Sequence, residues 1–122
     1  MRVWDLPPAE LCDRHLLGEH REVHALWTIL AEGRRGYARH PETARWRGSL
    51  AALRLRHDRL ASEMETRGFR HATPLHAALA RGRRSPRGRL LTLREQRERL
   101  LAKGCRCPER WPTEAREPSG PR

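Results

Sequence analysis

Apolar residues along the chain recur with helical rather than strand spacing. Projected at about 100° per residue, Leu11, Cys12, Leu16, Val23, Leu26, Ile29 and Leu30 share one broad arc. Asp13 is the expected N-cap after the turn-forming Leu6, Pro7 and Pro8, and this helix should run to about Ala31 before Gly33 stops it. Trp46, Leu50, Leu53, His57, Leu60 and Met64 recur at spacings of four and three. That predicts a long helix over residues 43–67, closed by Gly68 with Phe69 beyond it. A shorter helix starts at a capping box, Thr92 with Glu95, and ends at Gly104. Residues 81–89 hold Arg81, Arg83, Arg84, Arg87 and Arg89 among glycines, Ser85 and Pro86, which predicts a flexible basic linker. The class is therefore all-α. One compact domain over residues 1–112 should contain about three main helices, a basic loop and an irregular C-terminal tail, with residues 113–122 disordered.

Charge adds a partner to this picture. The chain has 26 basic against 15 acidic side chains in 122 residues, a formal net charge of +11, which is an electrostatic footprint for nucleic acid. Among the basic residues only Lys103 is lysine, and arginine's planar fork is the better donor to phosphates and base edges, although a GC-rich genome would also favour arginine. An apolar fraction of 37% suffices for a small, thin helical core. No stretch approaches the roughly eighteen apolar residues of a membrane span and the N-terminus lacks an apolar signal core, so a cytoplasmic, nucleoid-associated protein is expected. Three cysteines argue against a disulfide framework. Cys105 and Cys107 form a C-x-C that could bind zinc with a distant histidine, but without a second ligand pair they read as free thiols, so no metal and no cofactor is expected.

Two features point to chemistry. His15 and Glu22 lie inside the apolar arc of the first helix, and burying an unpaired carboxylate costs several kcal/mol, so Glu22 needs either a structural partner or a chemical use. Beside it Arg14, Gly18 and Arg21 form a stripe with no bulk at its centre, where a large polyanion could approach the backbone. In the loop over residues 33–42, Arg34, Arg35 and Arg39 surround Tyr37, the interleaving of cations with an aromatic ring expected of a strand-contacting loop; a plain solvated loop is the alternative. His57 reads as a hydrogen-bonded core histidine.

The pattern E-L-x-D-x-H-L-x-x-E-x-R-E, present as Glu10, Leu11, Asp13, His15, Leu16, Glu19, Arg21 and Glu22, resembles the pyrimidine-dimer DNA glycosylases, the family of bacteriophage endonuclease V. R-G-F at residues 67–69 and G-Y-x-x-H-P-E-T at residues 36–43 are similar to motifs of the same family. The resemblance implies that Glu22 is the catalytic carboxylate, Arg21 a DNA contact and His15 the active-site histidine. It also aligns Met1 with the family's terminal residue, whose α-amine attacks the sugar, and Arg2 with a DNA-contacting arginine. Arg99 and Lys103 fit its phosphate-binding R-x-x-x-K pair. An α-amine has a pKa near 8 against about 10.4 for lysine, so it is partly neutral at pH 7.

The implied enzyme is a metal-independent DNA glycosylase with abasic-site lyase activity. It would act as a monomer on damaged double-stranded DNA, through an imine on Met1 with Glu22 as acid/base. Two departures stand out. Trp111 is the only aromatic residue in a tail that is rich in tyrosine and tryptophan in the phage enzyme, so Trp111 and Tyr37 are the candidate lesion contacts. Ala25 stands where the phage pattern has another DNA-contacting arginine. A non-catalytic DNA-binding module of the same fold, and a small basic RNA-binding or adaptor protein, are the alternatives.

Overall fold

A computed structural model describes residues 2–33, 39–70 and 74–116. Helix α1 spans Asp13–Glu32, α2 Pro41–Trp46, α3 Leu50–Thr66 and α4 Leu93–Ala102, with short 3-10 turns at Pro8–Glu10, Ala77–Leu79, Cys107–Arg110 and Thr113–Arg116. Among the described residues there is no strand, only an isolated bridge between Ser49 and Gly82. The all-α expectation holds, with α1, α3 and α4 as the main helices.

Helix α1 starts one residue from the expected place, at N-cap Cys12, and stops at Gly33 in the left-handed conformation, φ 67°. Its apolar face meets α3 in the principal helix pair of the fold. Leu16, Val23, Leu26, Leu53 and Leu60 are completely buried between them. Arg67, just past the end of α3, donates to the carbonyl oxygens of Leu11 at 2.7 Å and Pro8 at 3.2 Å and pairs with Asp13 at 3.0 Å. The R-G-F motif thus ties the end of α3 to the start of α1.

The single helix expected over residues 43–67 is two helices. It breaks at residues 47–49, where Gly48 takes φ 74°. The break makes room for the arginine-rich segment, which is a strap and not a free linker. The N–H groups of Ala51 and Ala52, orphans in the first turn of α3, donate to the carbonyls of Arg81 at 2.8 Å and Arg83 at 3.0 Å, and Arg83 N–H donates to Gly48 at 3.0 Å. A Cβ on Gly82 would lie 2.2 Å from the Gly48 carbonyl oxygen, so only glycine fits there. Helix α4 carries the expected capping box: Glu95 N–H donates to Thr92 Oγ1 at 3.1 Å and Thr92 N–H to Glu95 at 3.0 Å.

Candidate active site and its supports

The fully buried charge in the apolar arc of α1 is Glu19 rather than Glu22. Glu19 is 2% exposed, and Arg56 of α3 grips it with Nε at 2.6 Å from Oε2 and Nη2 at 3.1 Å from Oε1. Burial pushes the Glu19 carboxyl above its ordinary value, with the Arg56 guanidinium and the Trp4 N–H pulling the other way. At about 100° per residue Glu19 projects midway between Leu26 and Leu30, so the same helical wheel contained the signal. Glu22 lies at the edge of that arc and is half-buried.

Glu19 also accepts a 2.9 Å hydrogen bond from the backbone N–H of Trp4. Two other helices reach for the same segment. From α2, Arg45 donates to the Val3 carbonyl at 3.3 Å and forms an ion pair with Asp5, while Glu42 holds Arg45 at 2.8 Å and accepts the Trp46 indole N–H at 2.9 Å. From α4, Gln96 accepts the Asp5 N–H at 2.7 Å and donates to its carboxylate at 2.9 Å. Glu19, Glu42, Arg45 and Gln96 are all buried. Each satisfies groups that would otherwise be costly to bury, and together they fix the main chain of residues 3–5. The H-P-E-T motif has a structural share in this. His40 caps α2 by accepting the Glu42 N–H at 3.1 Å, Pro41 fills the first helical position, and Glu42 belongs to the clamp.

The remaining site residues distribute as follows. Arg14, Arg21 and Arg39 are exposed, as are Arg99 and Lys103 on and just beyond α4. A Cβ on Gly18 would meet nothing within 4 Å, so the stripe between Arg14 and Arg21 opens onto space. Arg2 stacks its guanidinium 5.4 Å from the Trp4 ring centroid. Met1, Arg34, Arg35 and Tyr37 lie outside the described residues. Trp111 is 2% exposed, with its indole N–H on the Glu10 carbonyl at 2.8 Å, and would have to leave this enclosure to meet a base.

Among the described residues two clusters could hold a metal. In the first, His20 and His24 of α1 face His57 of α3, with Nε2 of His24 3.2 Å from Nε2 of each of the others; Nδ1 of His57 lies 2.9 Å from Asp58. His57 is buried, as the pattern of α3 implies. In the second, Cys12, His15, Cys105 and Cys107 bring their sulfurs and ring nitrogen within 4.8 Å of one another. His15 is half-buried, and burial, then the charges of Lys103 and Arg14, hold its pKa below the ordinary value. The C-x-C pair, read from sequence as isolated thiols, thus has partners on α1.

The comparisons with known proteins complete the site. A family model described as pyrimidine dimer DNA glycosylase matches residues 1–77, which contain the clamp's Glu19, Glu42 and Arg45 as well as Arg21 and Glu22. No curated protein and no solved structure matches the chain. A basic helical domain with this match is defined as one that acts on DNA, and the chain belongs to the pyrimidine dimer DNA glycosylase family. No helix among the described residues is long and apolar enough to cross a membrane.

Proposed function

We propose that the protein is a monomeric, nucleoid-associated DNA repair enzyme that excises pyrimidine dimers or related base damage and nicks the resulting abasic site. The observation that carries this reading is the convergence of Glu19, Arg45 and Gln96 on the main chain of residues 3–5. A fold that commits buried polar groups from α1, α2 and α4 to one terminal segment has a use for where that segment lies. Residues 8 and 11 are held near the start of α1 through Arg67, whereas Trp4 is held at Glu19, so the segment runs antiparallel to α1 and advances toward Glu22. Glu22 lies about 4.5 Å further along the helix axis, at about 1.5 Å per residue. Met1 is three residues before Trp4, a reach of about 10 Å at most.

In this reading the DNA is bent and the damaged nucleotide turned out, exposing C1′ of its deoxyribose. The neutral Met1 α-amine attacks C1′ as the bond to the base breaks, and the Glu22 carboxylate stabilises the positive charge developing on the sugar. Glu22 then acts as acid/base while the sugar ring opens to the imine and while the C2′ proton is removed, expelling the 3′ phosphate. Arg2, Arg14, Arg21, Arg34, Arg35, Arg39, Arg99 and Lys103 hold the phosphate backbone. Borohydride added to protein on abasic-site DNA tests the amine: the expected product is a covalent adduct whose mapped peptide begins at Met1. An adduct on Lys103 instead, or none with DNA still bound, overturns the α-amine route, and the second result leaves a DNA-binding module.

A further inference from the structure

Cys12 occupies the N-cap of α1 and His15 its first turn, while Cys105 and Cys107 follow α4, at least ninety residues later in the chain. The fold nevertheless brings three sulfurs and one imidazole nitrogen within 4.8 Å of one another. Nδ1 of His15 lies 3.2 Å from Cys12 Sγ and 3.5 Å from Cys107 Sγ. A neutral imidazole nitrogen is either a donor or an acceptor, so it cannot make two separate hydrogen bonds of opposite sense to these sulfurs. Tetrahedral zinc, with Zn–S about 2.3 Å and Zn–N about 2.0 to 2.1 Å, sets S···N near 3.6 Å and S···S near 3.8 Å. The two S···N separations, 3.2 and 3.5 Å, lie at or somewhat below that value, and all four ligand atoms fall within 4.8 Å of one another.

The two buried sulfurs differ: burial raises the Cys107 thiol above its ordinary value, whereas at Cys12 burial is outweighed by hydrogen bonds, which lower it. Cys12 sits at the positive end of a 20-residue helix, and its backbone N–H donates to Cys107 Sγ at 3.0 Å, the outer hydrogen bond that metal thiolates accept. Arg14 and Lys103 stand close enough to act on His15, and their charge offsets the net negative charge of three thiolates around a divalent ion. Cys12 and Cys107 are buried, so these sulfurs do not simply face solvent. A disulfide would use only two of the three and leave His15 without a role.

We propose that Cys12, His15, Cys105 and Cys107 bind one structural zinc ion, which fastens the chain after α4 to the first turn of α1. Four protein ligands leave no open position, so the ion supports the fold and takes no substrate. Its ligands also fix the His15 ring through Nδ1 and leave Nε2 as the nitrogen available to DNA. The inference does not rest on the glycosylase reading, since any function of this fold would use the same fastening.

Cobalt substitution of the intact protein tests it. Removal of bound metal and reconstitution with Co²⁺ should give the strong visible bands of a tetrahedral site together with near-ultraviolet sulfur-to-cobalt charge transfer. The His20, His24 and His57 cluster contains no sulfur and cannot produce the latter. In the zinc form, an organomercurial should release zinc in proportion to the thiols it modifies. Cys105→His, which keeps a ligand, should retain metal with weaker charge transfer, whereas Cys105→Ser should bind it at least tenfold more weakly. If wild-type protein folds, gives no charge-transfer band and presents three freely reacting thiols in the presence of zinc, the proposal is overturned, whatever happens to the variants.

Discussion

The two ends of the described chain are held differently, residues 3–5 by α1, α2 and α4 and residues 105–111 mainly by the turn that leads into α1. Residues 3–5 are held through their main chain by Glu19, Arg45 and Gln96 reaching in from three helices, in addition to the buried Val3 and Trp4 side chains and the paired Asp5 carboxylate. Residues 105–111 are held by their own side chains: Trp111 and Cys107 are buried, and Arg110 donates to the Ala9 carbonyl at 2.6 Å. Main-chain clamping fixes where a backbone and its terminus lie whatever side chains it bears. Side-chain burial stabilises a segment without aiming it. On the proposed mechanism the main-chain hold would aim the terminus, whereas the tail would support the fold.

The sharpest way to break this contrast is at Glu19. Glu19→Ala strands the Arg56 guanidinium in the core, and losing one partner of a buried pair should cost about 3–5 kcal/mol in urea unfolding. The double change Glu19→Met with Arg56→Leu should recover most of that stability. Because it still lacks the acceptor for the Trp4 N–H, nicking of abasic DNA should stay low; full activity in the stable double variant would reduce the clamp to a stability device.

The tail should behave differently. Trp111→Ala removes a ring 2% exposed and should also cost about 3–5 kcal/mol, yet leave abasic-site cleavage per folded molecule unchanged in the cold. A loss confined to a cyclobutane-dimer duplex would instead mean that the ring leaves its enclosure to act at the lesion. Glu22→Gln is the complementary case, since a half-buried edge position tolerates the amide. Melting should hardly move, DNA binding should persist, and cleavage should fall by a factor of about 100 or more.

The smallest expected effect concerns α4, which serves both ends. Hydrogen bonds from the Thr92 N–H and then its side chain hold the Glu95 carboxyl below the ordinary 4.5. A lowered folded-state value means that the stabilisation is present in full above pH 4.5 and is lost as pH falls through that lower value. The melting temperatures of wild type and Glu95→Ala should therefore differ slightly at neutral pH and converge in acid.

These elements were unequally legible in the sequence. Gly33, Gly68 and the Thr92 capping box marked helix ends correctly because they act on neighbouring residues. The break at Gly48 was hidden because the apolar period runs through it unchanged, and what demands it is Gly82, far along the chain. Family membership could be read from the spacing of eight residues around α1. Glu19 was among them, but its partner Arg56 lies on another helix, and pairing between helices leaves no local trace. Cys105 and Cys107 looked isolated for the same reason, their neighbours being Cys12 and His15.

The strap over residues 81–89 separates two properties that usually constrain each other. It closes the end of α3 with peptide groups alone, and all five of its arginines are exposed. Electrostatic character and folding are thus written on different atoms of the same residues. Gly82 cannot change, but the charges around it can be added, removed or exchanged as a changing nucleic-acid surface requires, and the adjustment leaves the helix termini beneath untouched.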